Sequence, residues 1–319
     1  MVLGAWFFAR SNCVVLRARF RRDEGPWAKD GLGTKYEVPR TARRIDSKTR
    51  YRASPQYTPC VPKVSVTIIT KDEEADIGAA IASVNWADEV IVVDSHSRDR
   101  TIEIAKAANA RVIVRDWPGY VAQKNFAAEQ AANDWILSLD ADERVTPGLA
   151  RSVRQALQAP AHVAYELPRL TWHLGRWIRG TDWYPDYQCR LYDRRAAAWS
   201  GRYVHETLSV QGSTGQLTGD VHHFAYRDIS DHLETIDRYT TLAASQMFEE
   251  GRRASTWHLL AHGPLAFLRN YLAKGGFRLG GVGVIISAMN AYYVFLKFAK
   301  LWQLQTSPQT RPNEGSGPR

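Results

Sequence analysis

The chain has 319 residues, of which 45% are hydrophobic, enough to build a proper core for one large domain or two modest ones. Its formal net charge of +9 is unevenly spread: residues 1–62 carry 13 Lys or Arg against 5 Asp or Glu, residues 63–250 carry 20 against 27, and residues 251–303 carry seven against none. That distribution argues against a nucleic-acid groove in the acidic centre and directs the basic C-terminal part toward phosphates or an anionic membrane. Cys13, Cys60 and Cys189 lie far apart with no C-x-x-C pair, so neither a zinc site nor a disulfide framework is indicated, and a reducing compartment is the simplest fit.

Residues 1–62 lack sustained periodicity and read as a basic, mostly disordered leader. The opening MVLGAWFFAR has no signal-peptide layout. From Lys63 the pattern changes. KVSVTIIT reads as a buried strand, and KDEEADIGAAIASV as a helix with acidic residues in its first turn. EVIVVD, RVIVRD and WILSLD are further strands, separated by the helices TIEIAKAANA and VAQKNFAAEQAA. This alternation predicts an α/β fold with a mostly parallel sheet flanked by helices. A helix follows Pro147, and residues 161–223 read as short strands and loops dense in aromatics. Residues 231–250 and 256–273 read as helices, residues 279–299 carry no charge until Lys297, and the tail from 305 to 319 reads as disordered.

The most informative motif is WILSLDADER. An apolar strand runs into Asp140, Ala141 and Asp142 at its carboxyl end, the edge where open α/β sheets bind ligands. Two carboxylates one residue apart can hold a divalent cation, and the cation a diphosphate. The plain alternative is a solvated turn.

Four segments, VSVTIITKDEE, VIVVDSHSRDRT, AQKNFAA and LSLDADERVTP, together resemble a family-2 glycosyltransferase of the GT-A fold. WADEVIVVDS, GYVAQKNFA, WYPDYQCRLY and VHE are similar to segments of bacterial lipopolysaccharide core glucosyltransferases, and the resemblance spans roughly residues 63–303. It implies a GT-A catalytic domain over 63–230, with a nucleotide half (63–147) and an acceptor half (148–230), followed by a helical membrane-associated region over 231–304. It further implies an inverting, metal-assisted transfer of a hexose, glucose from UDP-glucose, onto a lipopolysaccharide inner-core sugar. One residue departs from the pattern: His96 stands where such families usually have glycine, and a left-handed conformation there would preserve the tight turn.

By that resemblance Thr70, Glu73 and Asp94 contact the nucleotide, although Glu73 can equally cap a helix, and Asp94 can cap its own turn. Asp99 is better explained as a cap. Asp140 meets the ribose or the metal, and Asp142 ligates Mg²⁺ or Mn²⁺. Lys124 approaches the nucleotide or its phosphates, or else lies on a solvated helix face; Gln123 and Asn125 share that ambiguity. Asp186 is the first choice for general base and Glu206 the second, each with an arginine salt bridge as the structural alternative. His205 is a candidate third metal ligand. His222 and His223 adjoin on a strand and must point to opposite faces, so they form no paired metal site. Most of the aromatics from 172 to 203 are expected in the core, with Trp183 and Tyr184 facing the acceptor.

Residues 279–299 have the length of a membrane span, yet Gly280, Gly281, Gly283, Ser287 and Asn290 dilute their hydrophobicity. With Trp302 and the basic flanks, peripheral attachment to an anionic surface fits better. The expected partners are a nucleotide-sugar donor, a lipid-linked saccharide acceptor and the cytoplasmic face of a bacterial inner membrane, with no nucleic acid. Two enzyme alternatives remain: a glycosyltransferase acting on another cell-envelope glycan, and a nucleotidyltransferase, which the acidic, glycine-free loop TKDEEAD disfavours. A non-enzymatic alternative is a degenerate, membrane-bound sugar-binding protein.

Overall fold

The computed structural model describes a strand at Cys13–Val15 together with residues 61–201 and 206–306. His205, the rest of the leader and the tail lie outside the described residues.

In chain order the strands are β1 (Cys13–Val15), β2 (Val64–Thr70), β3 (Glu89–Asp94), β4 (Arg111–Val114), β5 (Trp135–Asp140), β6 (Glu143–Val145), β7 (Ala164–His173), β8 (Arg176–Trp177), β9 (Asp186–Asp193), β10 (Ala197–Ser200), β11 (Thr207–Val210), β12 (Thr214–Gln216) and β13 (Val221–His223). The α-helices are α1 (Ile77–Ala82), α2 (Thr101–Ala107), α3 (Tyr120–Glu129), α4 (Pro147–Gln158), α5 (Ile229–Glu249), α6 (Thr256–Leu268) and α7 (Gly281–Thr306).

The main sheet runs β4-β3-β2-β5-β9-β7-β13-β6. Its first four strands are mutually parallel, and β9 is antiparallel to both β5 and β7. Strand β2 is buried at every position because helices or strands cover both faces, which is why it reads as an unbroken β-branched run. On one face Val66, Ile68, Leu137 and Leu139 pack with Ile77 and Ile81 of α1 and Leu149 and Val153 of α4. On the other, Ile69, Ile91, Val93 and Ile136 pack with Ala127 and Ala128 of α3 and Trp199 and Leu208. A small second sheet, β1-β11-β10, includes the three leader residues that form a strand.

Two local expectations are corrected. Helix α1 starts only at Ile77, with no acid in its first turn. The acidic run instead joins the loop after β3: Asp72 Oδ1 accepts from Arg98 N at 2.7 Å and Glu74 Oε2 from Arg100 N at 3.0 Å, while Thr101 Oγ1 accepts from Glu73 N at 2.7 Å. Bonding to backbone donors and a hydroxyl of the loop after β3 thus replaces what the residue pattern reads as the first turn of a helix. Cys189, buried on β9, is disulfide-bonded, against the expectation drawn from cysteine spacing. His96 does adopt the left-handed conformation, at φ +58°.

Helix α7 packs against both α5 and α6, and it is long and apolar enough to cross a membrane. Gly283 lets the Gly276 carbonyl come so close that a Cβ at this position would sit 1.8 Å from that oxygen. Of the glycines that dilute the segment's hydrophobicity, Gly283 therefore serves a close backbone contact.

Candidate active site

Strand order reverses between β2 and β5, so their carboxyl ends form the crevice in which open α/β sheets hold ligands. Register assembles the rim, with Thr70 opposite Asp94 and Asp140 opposite Ile69. Thr70 is buried and its Oγ1 has no hydrogen-bond partner among the described residues. The same holds for Oε1 of the fully buried Gln123, whose Nε2 donates to Ser95 Oγ at 3.0 Å. Ser95 N in turn donates to Thr70 O at 2.9 Å, which places both orphaned oxygens in one neighbourhood. An unpaired buried polar atom costs about 1–3 kcal/mol, which a ligand N–H or O–H would offset. Asn125 is structural: it exchanges two 2.9 Å hydrogen bonds with the Trp199 backbone.

Asp94 is fully buried, and its two oxygens accept from Ser97 N at 2.8 Å and Ser97 Oγ at 2.5 Å. This is the capping role; each oxygen keeps a further lone pair. Asp99 also caps, accepting from Thr101 N at 3.0 Å.

Asp140 is the hub of a buried ion network. Its Oδ1 lies 3.3 Å from Lys124 Nζ, and its Oδ2 accepts from Arg190 at 2.7 Å. Lys124 is only 3% exposed, so it is no solvated helix residue; it also reaches Glu206 Oε1 at 3.1 Å and sits 4.6 Å above the Trp199 ring. Arg190 donates to Glu143 at 3.1 Å, and Glu143 Oε2 accepts from the Asp140 amide at 3.1 Å. Burial pushes the Asp140 carboxyl up, but the charges of Arg190 and then Lys124 outweigh it and hold the group well below the usual carboxylate range. Among the described residues Nε and Nη1 of Arg190 have no hydrogen-bond partner, which leaves that cation with unused donors beside Asp140.

Asp142 belongs to the same rim but has a different partner. Its Oδ2 lies 3.2 Å from His223 Nε2, and His223 Nδ1 is 3.3 Å from Thr171 Oγ1. Burial raises the Asp142 carboxyl, and attraction to His223 more than reverses that shift. His222, as expected, turns the other way and stacks on Trp177 at 4.0 Å. The contact of His223 with Asp142 comes from the pairing of β13 with β6, which residue spacing does not disclose.

Asp186 faces Arg169, its neighbour across β7 and β9, and accepts from Nε at 2.9 Å and Nη2 at 2.7 Å, while Gln188 donates to its other oxygen at 2.7 Å. This is the salt-bridge alternative, with Arg169 as a partner that residue spacing did not suggest. Trp183 is half-buried: its ring packs with His173, Tyr226 and His232, and its Nε1 donates to Asn290 at 3.3 Å. Tyr184 lies nearer the surface, where its hydroxyl donates to Asp220 at 3.1 Å. Phe224 N donates to Asp142 O at 3.0 Å. From Phe224 a cleft of about 690 Å³ opens, walled also by Asp76, Trp172, Tyr226 and Arg227. Glu73 lies in the field of Asp142, Asp76 and Asp99.

Whether this rim suits a divalent cation depends on its donors. Among the described residues no three His, Cys, Asp or Glu side chains converge as a closed metal cage. Asp142 presents a hard carboxylate beside an imidazole, and the four carboxylates Asp140, Glu143, Asp186 and Glu206 exceed the three cations Lys124, Arg169 and Arg190 that meet them. That excess of negative charge and the small ligand number fit Mg²⁺ or Mn²⁺, which commonly take one or two carboxylates and complete their shell with substrate phosphates and water.

An acidic rim at the switch point of a parallel sheet, with orphaned buried acceptors beside it, defines a nucleotide-binding α/β enzyme. Residues 65–210 match the model for Glycosyl transferase family 2. The chain is 32% identical to an uncharacterized glycosyltransferase of Rickettsia typhi, over 76% of this chain and 87% of that one. It is 31% identical to the lipopolysaccharide core biosynthesis glycosyltransferase LpsC of Rhizobium meliloti, over 79% of this chain and 97% of that one. A solved structure of TarS from S. aureus in complex with UDP is similar at 22% identity, covering 36% of this chain and 38% of that chain with a TM-score of 0.32. The chain belongs to glycosyltransferase family 2, and it is a nucleotide-sugar-dependent enzyme of the GT-A type.

Proposed function

We propose that this chain transfers a hexose, glucose from UDP-glucose, onto a lipid-linked lipopolysaccharide inner-core sugar by a single inverting displacement at the cytoplasmic face of the inner membrane. The observation that carries the reading is the charged rim around Asp140 and Asp142 at the sheet's switch point. The similarity to LpsC, which extends over nearly all of that protein, supports the lipopolysaccharide acceptor.

In this reading Thr70 and Gln123 receive hydrogen bonds from the nucleotide through their orphaned oxygens. Asp142, with Asp140 beside it, holds Mg²⁺ or Mn²⁺, and His205 remains a candidate ligand. When bound, such a cation neutralises charge on the departing diphosphate. Arg190 and Lys124 steady the carboxylates of the rim and offer their own charge to the phosphates. One carboxylate takes the proton of the attacking acceptor hydroxyl. Glu206 is the better placed of the two candidates, because among the described residues it is contacted through Oε1 alone, whereas both oxygens of Asp186 are engaged.

The test is to incubate the purified protein with several UDP-sugars, with Mg²⁺ or Mn²⁺, and with truncated lipid-core acceptors, then to read product mass. One added hexose, from UDP-glucose in preference to the other donors, is the expected result. No mass gain on any core acceptor would overturn the reading.

A further inference from the structure

Helix α6 packs one side on α7, where Gly263 approaches the Ala291 carbonyl. Among the described residues nothing covers the exposed side chains of its other side. Trp257 is 66% exposed, Leu260 69%, Leu265 57% and Leu268 50%, and at 100° per residue all four fall on one helical face. The stripe continues through the π-helical turn Arg269–Ala273 with the exposed Leu272, and into the 3-10 turn Gly276–Leu279 with the exposed Phe277. Four exposed large apolar side chains on one face of a helix, followed closely by two more, are unusual for a surface that meets only water.

Its charge says what covers it. Exposed Arg252 and Arg253 precede the stripe, and exposed Lys274 and Arg278 follow it. No acidic residue occurs between 251 and 303. Apolar side chains bracketed by cations, with no anion among them, match an anionic lipid leaflet in which acyl chains meet the stripe and headgroups meet the cations. A second protein copy would have to bring both an apolar face and acidic flanks, and this region of the chain has no acids to contribute.

The same turn is bolted to the acceptor half of the enzyme. Asp182 N donates to Asn270 Oδ1 at 2.9 Å, and Asn270 Nδ2 returns a bond to Asp182 Oδ2 at 3.0 Å. Thr181 N donates to the Lys274 carbonyl at 2.9 Å, and Asn290 Nδ2 to Asn270 Oδ1 at 3.0 Å. Arg269 also binds Asp182. Asn270 is 1% exposed, so water does not compete for these bonds.

We propose that the face formed by α6 and the turns after it is the surface by which this enzyme lies on an anionic bilayer, with the Asp182–Asn270 contact fixing the acceptor segment 181–184 relative to the lipid plane. The proposal rests on the reading that the acceptor is lipid-linked, and it moves the docking element from the long helix at 279–299, favoured by sequence, to α6.

The test is sedimentation of the full chain with vesicles of phosphatidylcholine alone or mixed with phosphatidylglycerol. Binding to the anionic vesicles should be at least about tenfold stronger and should weaken with salt. The double variant Leu260→Glu, Leu268→Glu should lose binding by about tenfold or more, and Lys274→Glu, Arg278→Glu should lose the preference for anionic lipid. Circular dichroism checks that both variants remain folded, as expected for exposed sites. Equal binding to both vesicle types, wild-type binding by the leucine variant, or a protein released only by detergent, as a spanning α7 would require, overturns the proposal. Transfer to a delipidated, water-soluble core acceptor separates the two readings. It should survive in the leucine variant, and its absence in the wild-type chain while vesicle binding persists would remove the acceptor assignment and leave the surface standing.

Discussion

Lys124 Nζ lies 3.3 Å from Asp140 Oδ1 and 3.1 Å from Glu206 Oε1, so a single buried ammonium ties helix α3 to the end of β5 and to the segment before β11. Lys124→Met keeps the apolar stem and removes the charge, leaving two carboxylates with one cation fewer. Losing one partner of a fully buried pair costs about 3–5 kcal/mol. Asp140 and Glu206 are 31% and 20% exposed and Arg190 still holds Asp140, so a loss of roughly 2 kcal/mol is expected. Urea denaturation measures it, and an unchanged midpoint would show that the ammonium contributes nothing to the fold.

The two candidate bases are separable by kinetics. A general base contributes typically about 10²–10⁴-fold to turnover. Glu206→Gln should lower kcat within that range while leaving donor KM nearly unchanged. Asp186→Asn loosens Arg169 instead, so its effect should appear in stability and in substrate affinity at least as much as in kcat. If Asp186→Asn alone gives the pure kcat loss, the assignment is reversed.

Much of the sheet was legible from the sequence because it obeys one-dimensional rules. The runs at 64–70, 89–94 and 135–140 are apolar because helices cover both faces, and a buried parallel strand announces itself in composition. The position of Asp140 and Asp142 at a strand end followed directly. What sequence could not supply was pairing across long separations. Arg169 meets Asp186 only because β7 runs antiparallel to β9, and His223 meets Asp142 only because β13 lies beside β6. The contacts of Trp183 were hidden for a related reason: an aromatic composition that suits sugar stacking also suits packing on His173, Tyr226 and His232. The acidic run after β2 failed as a helix start because its partners, the amides of Arg98 and Arg100, lie in another loop.

His223 holds Asp142 at 3.2 Å and is itself oriented by Thr171. Under the proposed cation role of Asp142, it is a positioning residue. His223→Ala should lower Mn²⁺ affinity, read by calorimetry in the presence of UDP, by about 10–100-fold, the range found when the group orienting a metal-binding side chain is removed. His222→Ala, on the opposite face, should leave that affinity unchanged. Equal effects from both variants would mean that the strand, and not the imidazole contact, is what matters.

Glu73 supplies a pH dependence of definite sign. Burial, and then the negative charges of Asp142, Asp76 and Asp99, push its carboxyl up to about 7, with Arg227 opposing them. Unfolded, the same group releases its proton near its ordinary value of 4.5. Between those values the folded chain holds more protons than the unfolded one, so this group makes stability fall as pH rises. Its contribution is complete below pH 4.5 and lost once the pH has passed through about 7. Glu73→Gln keeps the shape and removes the titration. Relative to wild type, the variant should therefore gain thermal stability as pH rises from 4.5 to about 7 and then level off. Thermal midpoints measured across that range at constant ionic strength check the sign, and a variant whose midpoint runs parallel to wild type would show that Glu73 is already ionised in the folded protein.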